Sequence, residues 1–175
     1  VETVERTNDQ GVAVTVYVNQ RKGTASTADL RPESLRETVA QACAIARYTE
    51  ADAASGLADA ERLAGASMDF DLWHPRELSA EQGIALALEC EAAGLNAPGI
   101  SNSDGAGFNS GRSTAVYANS HGFFGAERST HYSLSCSLIA GKEQSMQRDY
   151  WYSTALQFEG LDPARAIGLK AAERT

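Results

Sequence analysis

The residues of this chain that could hold a metal or move a proton are scattered rather than grouped. Its three histidines are His74, His121 and His131. None stands beside a second ligand at the spacing that lays two imidazoles on one helix face, so neither H-E-x-x-H nor H-E-x-x-x-H is present. His121 and His131 flank a glycine-rich turn and strand and could converge, but satisfied or exposed rings are the expectation. His74, within Trp73-His74-Pro75, is expected in a loop packed by Trp73 and Phe70. Asp52, Asp59, Asp69 and Asp71, with Glu50 and Glu61, form an acidic block. It lacks the D-x-D-x-D-G spacing and terminal glutamate of a calcium loop, which leaves a solvated acidic face. The three cysteines, Cys43, Cys90 and Cys136, are odd in number and contain no C-x-x-C, so buried free thiols are expected. Gly105-Ala106-Gly107 lacks the third glycine of a dinucleotide loop and opens no helix, and neither a G-x-S-x-G elbow nor a Walker A loop occurs.

The densest polar and aromatic cluster is Met146-Gln147-Arg148-Asp149-Tyr150-Trp151-Tyr152. Read as a strand, it places Arg148, Tyr150 and Tyr152 on one face and Asp149, Trp151 and Ser153 on the other. Neither face is purely apolar. One reading is an edge or interface strand whose rings pack and whose Arg148 pairs with a carboxylate. The other is a recognition surface for a partner or peptide, because Tyr, Trp and Arg dominate interface hot spots. Arg148, Tyr150 and Tyr152 are therefore the candidate interface or peptide residues, and no residue is assigned a catalytic, cofactor-binding or metal role.

These side chains need a scaffold, and the chain reads as α+β. Val12, Val14, Val16 and Val18 alternate with Ala13, Thr15 and Tyr17, a strand, and Lys22–Thr27 returns as its hairpin partner, with Gly23 relaxing the turn or a bulge. Pro32 opens a helix running to about Tyr48, with Leu35, Val39, Ala42 and Ala46 as its stripe. Residues 49–71 are irregular apart from one helical turn around Leu57–Leu63. Ser79-Ala80-Glu81-Gln82 is a capping box opening a second helix, with Ile84, Ala87, Leu88, Glu91 and Leu95 along one side and Gly94 or Asn96 ending it before Pro98.

Residues 98–158 read as an antiparallel meander. Tyr132, Leu134, Cys136 and Leu138 alternate with Ser133, Ser135 and Ser137, giving one apolar and one small polar face. Glycines and the turn-rich Ser101-Asn102-Ser103-Asp104 and Asn109-Ser110-Gly111-Arg112 suggest a bulged first hairpin. Such a sheet needs a cover on one face, and the two long helices are expected to supply it. Asp162 is the expected cap of a terminal helix over residues 162–175, with Pro163 at its first position and Ile167 and Leu169 apolar. The expected organisation is one N-terminal α+β domain over residues 1–175, comprising hairpin and helices (11–97), meander (98–158) and terminal helix (162–175).

At 175 residues the chain can bury a substantial core. Its net charge of -8, with no Lys/Arg block, argues against a nucleic-acid phosphate surface. No apolar run is long enough for a transmembrane helix, and no signal peptide is visible, so neither a membrane nor a nucleic acid is expected as partner. The chain opens on Val1 and stops within a helical pattern, so a longer protein is expected.

Seven strings in one order resemble the amino-terminal part of the TldD/PmbA family, in its PmbA (TldE) branch. They are Val16-Tyr17 through Arg21–Thr27, Ile45–Thr49, Leu86–Ala92, Ile100–Ser103, Ala118–Phe123, Ser133–Ser137 and Met146–Tyr152. The resemblance implies a cytoplasmic protein that pairs with a TldD-like subunit as a heterodimer linked to proteolysis of peptides and unfolded proteins. It also carries an older association with modulation of DNA gyrase. The TldD branch bears a zinc motif, H-E-x-x-x-H, downstream of the part matched here, while the TldE branch lacks it and acts as the non-catalytic partner. No family ligand or catalytic residue maps onto this chain. Zinc is therefore expected in the partner or a downstream domain, and a zinc peptidase with its site beyond residue 175 is the alternative.

Overall fold

The computed structural model describes residues 2–65 and 68–175. The chain divides into two compact units, Thr3–Ala64 and Gly65–Thr175.

In the first unit, β1 (Val12–Val18) and β2 (Arg21–Thr27) form an antiparallel hairpin, and α1 (Pro32–Tyr48) packs across it. Val18 pairs with Arg21, leaving Asn19 and Gln20 as a two-residue turn with φ of 49° and 62°. Both lie in the left-handed region that tight hairpins require, and asparagine tolerates it best after glycine. Gly23 has a different role from the one expected. It pairs in register with Val16 inside the strand, and a Cβ there would lie 2.0 Å from the Ala42 carbonyl oxygen. The bare Cα is what lets α1 approach, and Ala42 and Ala46, fully buried, complete the contact.

The second unit is a three-stranded antiparallel sheet in the order β3 (Ile100–Ala118), β4 (Phe124–Ala140), β5 (Gln147–Ala155). One face is covered by α2 (Ala80–Leu95) and α3 (Ala164–Arg174). Helices on antiparallel sheets, with an N-terminal hairpin and a terminal helix, match the expected architecture; the helices are distributed differently. α1 covers the hairpin, and α3 joins α2 on the meander, because the hairpin has its own half-buried valine row to cover. Alternation in β4 is as expected: Tyr132, Leu134, Cys136 and Leu138 are buried, and the intervening serines are half-buried. Leu134, Leu138 and Ile167 are almost wholly enclosed; burying a side chain of this size contributes about 1.5–3 kcal/mol.

The inner side of α2 is displaced from the expected one. Cys90, Ala93 and Gly94 are buried, while Leu88 and Leu95 are exposed. This helix is apolar on several sides, so periodicity does not choose a face; closeness of approach does. A Cβ on Gly168 would lie 1.9 Å from the Cys90 carbonyl oxygen, and one on Gly94 would meet Leu138 at 2.5 Å. Two glycines thus set the crossing of α2 and α3 over β4. The Ser79–Gln82 capping box forms with both hydrogen bonds, and Asn96 closes the helix. Asp162 makes no side-chain cap for α3; its backbone N–H donates to Ser153 Oγ. Of the two apolar residues noted in α3, Ile167 is buried and Leu169 is exposed.

The turn-rich first half of the meander is one strand. Asn109, Ser110 and Gly111 pair in unbroken register with Ser133, Tyr132 and His131. The expected irregularity is in the other turn-rich stretch, Ser101–Asp104, with register shifts between Ile100 and Asn102 and between Ser103 and Gly105. Asn109 to Arg112 do not break this strand because β4 offers each of them a ladder partner.

Candidate functional site

β5 is an edge strand, and the alternation predicted for it holds. On the helix side, Asp149 pairs with Arg174 at 3.0 Å, and the Arg174 guanidinium stands 5.3 Å from the Trp151 ring centre. Trp151 packs against the core cluster. The opposite face, away from the helices, carries Arg148, Tyr150 and Tyr152. The two tyrosine rings stack with centroids 6.2 Å apart and planes at 22°, and each ring is more than half exposed. Arg148 reaches across β4 to Asp104 of β3, at 2.9 Å.

Cross-strand register shows what lies beside the rings. Tyr150 is level with Ser137 and Gly105, and Tyr152 with Ser135 and Gly107. Small residues on β3 and β4 therefore leave a low floor beside a tyrosine wall. An open depression of about 470 Å³ is lined there by Gly105, Ser135, Ser137, Arg148 and Tyr150. Its groups are two ring faces, serine hydroxyls and an exposed ion pair: chemistry for binding an extended polar or aromatic segment, with no nucleophile–base pair.

The histidines stay apart. His121 lies in the β3–β4 turn, whereas His131 is opposite Gly111 in the ladder with Nδ1 3.4 Å from Thr154 Oγ1. His74 Nε2 is 2.7 Å from the Asp71 carbonyl oxygen. The segment around it is tied to β4: Thr130 N–H donates to Leu72 O, and the buried Tyr132 hydroxyl donates to His74 O and accepts from Arg76 N–H. Trp73 lies under the Arg128 guanidinium at 3.6 Å, while Phe70 is exposed rather than packing the loop.

Among the described residues, no three His, Cys, Asp or Glu side chains converge closely enough to hold a metal ion. Zinc is thus not accommodated by these side chains. Cys90 and Cys136 are buried free thiols, and Cys43 is half-buried. The hydrogen bond to Cys136, and then burial, push the Cys90 thiol far above its ordinary range, the opposite of what a thiolate nucleophile needs. No helix among the described residues is long and apolar enough to cross a membrane.

The sheet edge, backed by two closely crossed helices, carries an exposed pair of stacked tyrosines, and the described residues include no metal-ligating cluster. Comparison with known proteins gives the family. Residues 73–175 match the PmbA/TldA metallopeptidase central domain, and residues 1–46 match PmbA/TldA metallopeptidase domain 1. The chain belongs to the PmbA/TldD family.

It is 40% identical over 175 residues to a metalloprotease PmbA homolog of Haemophilus influenzae, covering 99% of this chain and 39% of that protein. It is 42% identical over 176 residues to metalloprotease PmbA of Escherichia coli O157:H7, covering 100% of this chain and again 39% of the relative. The chain thus spans about two fifths of the length of these relatives. Among solved structures, a candidate modulator of DNA gyrase from Bacteroides thetaiotaomicron superposes with a TM-score of 0.81 at 28% identity, covering 94% of this chain and 38% of the other. TldE from Thermococcus kodakarensis, at 14% identity and a TM-score of 0.60, covers 93% of this chain and 36% of its own and shares the fold.

Proposed function

We propose that this chain is the N-terminal part of a TldE/PmbA-like subunit, itself non-catalytic, of a cytoplasmic heterodimeric zinc metallopeptidase system that processes peptides and unfolded proteins. Its work is contact rather than catalysis. The observation carrying the reading is the face made by Arg148, Tyr150 and Tyr152 over the Gly105/Ser135/Ser137 floor, in a chain of this family whose described residues offer no metal site. Stacked rings beside small residues favour an extended peptide or a partner's strand, which gains ring contacts without a steric barrier. The zinc and the water it activates belong, on this reading, to the TldD-like subunit.

The test is to assay the full-length protein alone, its TldD-type partner alone, and the mixture, on an unfolded protein substrate. Cleavage only when the partner is present supports the proposal; cleavage by the full-length protein alone overturns it. A second reading is favoured by the name metalloprotease carried by the PmbA relatives. In it, the full-length chain is a zinc peptidase whose ligands lie beyond residue 175.

A further inference from the structure

The β3–β4 pair runs well past the sheet it belongs to. β5 accompanies β4 only from Tyr132 to Ala140, whereas β3 and β4 remain paired out to Ala118 and Phe124. Two contacts brace the ribbon where it leaves the sheet. Arg112 donates to the Arg76 carbonyl oxygen and to Glu77, and Arg128 lies over the Trp73 ring. Beyond these arginines Glu127, level with Ala115, is the one charged residue. Ser113 through Ala126 contains no Asp, Glu, Lys or Arg, in a chain that is 22% charged.

Apolar side chains occupy both faces of the ribbon's uncharged outer end. Val116, level with Ala126, and Phe124, level with Ala118, continue the helix-side face and are 60% and 68% exposed. Tyr117 is on the other face, 54% exposed, with its ring 5.9 Å from that of Phe123. A partner laid flat against one face would leave the other wet, so this pattern suits insertion between two surfaces. A two-stranded ribbon without a third strand is also marginally stable in water. A permanent cover would stabilise its unbraced outer end, and a covalently connected segment, at high effective concentration, supplies one better than an exchanging partner. Such a segment has room to exist: the matched region is a central domain, and it reaches only 39% of the length of the relatives.

We infer that the free ribbon, Ser113 to Ala126, is an insertion arm gripped on both faces by the part of the same polypeptide that follows residue 175 in the full-length protein. The inference is independent of whether that part carries zinc. The test is photo-crosslinking of the full-length protein, purified alone, with p-benzoylphenylalanine in place of Phe124 or, separately, Tyr117. Both sites are exposed here, so the probe does not disturb the core. The expected result is an intrachain cross-link from each position to residues beyond 175, in a yield independent of protein concentration and several-fold above that of the probe at exposed Arg36. An interchain product of doubled mass, cross-links confined to residues 1–175, or a yield no higher than at Arg36 would each overturn it.

Discussion

Arg148 on β5 and Asp104 on β3 are joined at 2.9 Å across the intervening strand β4. The pair spans the small-residue floor of the outer face and fixes one end of the depression beside Tyr150. Both side chains are substantially exposed, at 66% and 45%, so solvent screens the attraction. Replacing Asp104 by Asn should change stability by less than about 1 kcal/mol in urea denaturation of the full-length protein. Its predicted effect is on recognition: peptide or partner affinity, read by titration calorimetry, should fall while the unfolding midpoint holds.

The tyrosine pair gives a sharper version. Tyr150→Ala and Tyr152→Ala remove exposed rings and leave no core cavity, so each should shift stability by about 0.5 kcal/mol or less. If the outer face is the recognition surface, each loses a hot-spot contact, and affinity should drop by roughly tenfold or more. Unchanged affinity in both variants would remove these residues from the site.

Close approach of backbones makes the strongest stability predictions. Gly23→Ala forces a methyl to 2.0 Å from the Ala42 carbonyl, and Gly168→Ala one to 1.9 Å from the Cys90 carbonyl. Each should destabilise by about 1–3 kcal/mol or more, since helix backbone must move to make room. Gly111→Ala is the control: nothing lies within 4 Å of its added Cβ. Thermal unfolding should leave that variant near wild type.

These glycines also mark where sequence stops being informative. The alternation of β4 and the Ser79–Gln82 box are local patterns, and both were legible. So were the bounds of α1, from Pro32 to Tyr48. The inner face of α2 was not, because Leu88 and Leu95 are as apolar as the residues that are buried. Only the long-range approach of Gly168 selects Cys90 and Gly94. Arg148, Tyr150 and Tyr152 could be placed on one face by alternation. Their floor of Gly105, Ser135 and Ser137 depends on cross-strand register, which no local pattern encodes.

Asp29 supplies a pH signature in the first unit. Hydrogen bonds from the Arg31 side chain, the Arg31 backbone and Ser34 hold its carboxyl well below the usual carboxylate range. A depressed native pKa means the contribution is fully present above the unfolded value and is lost as pH falls through the native one. Wild type should therefore lose stability more steeply than Asp29→Asn on acidification below about pH 4, the unfolded carboxylate value. Identical acid limbs in paired urea titrations would contradict this.

On the proposed function, the full-length protein acts through contacts and holds no catalytic metal. Elemental analysis of zinc in the full-length protein, purified alone and shown to be folded, tests it most directly. No stoichiometric zinc is expected, with peptidase activity appearing only in complex with a TldD-type partner. About one tightly held zinc per chain would contradict it and make this protein the peptidase.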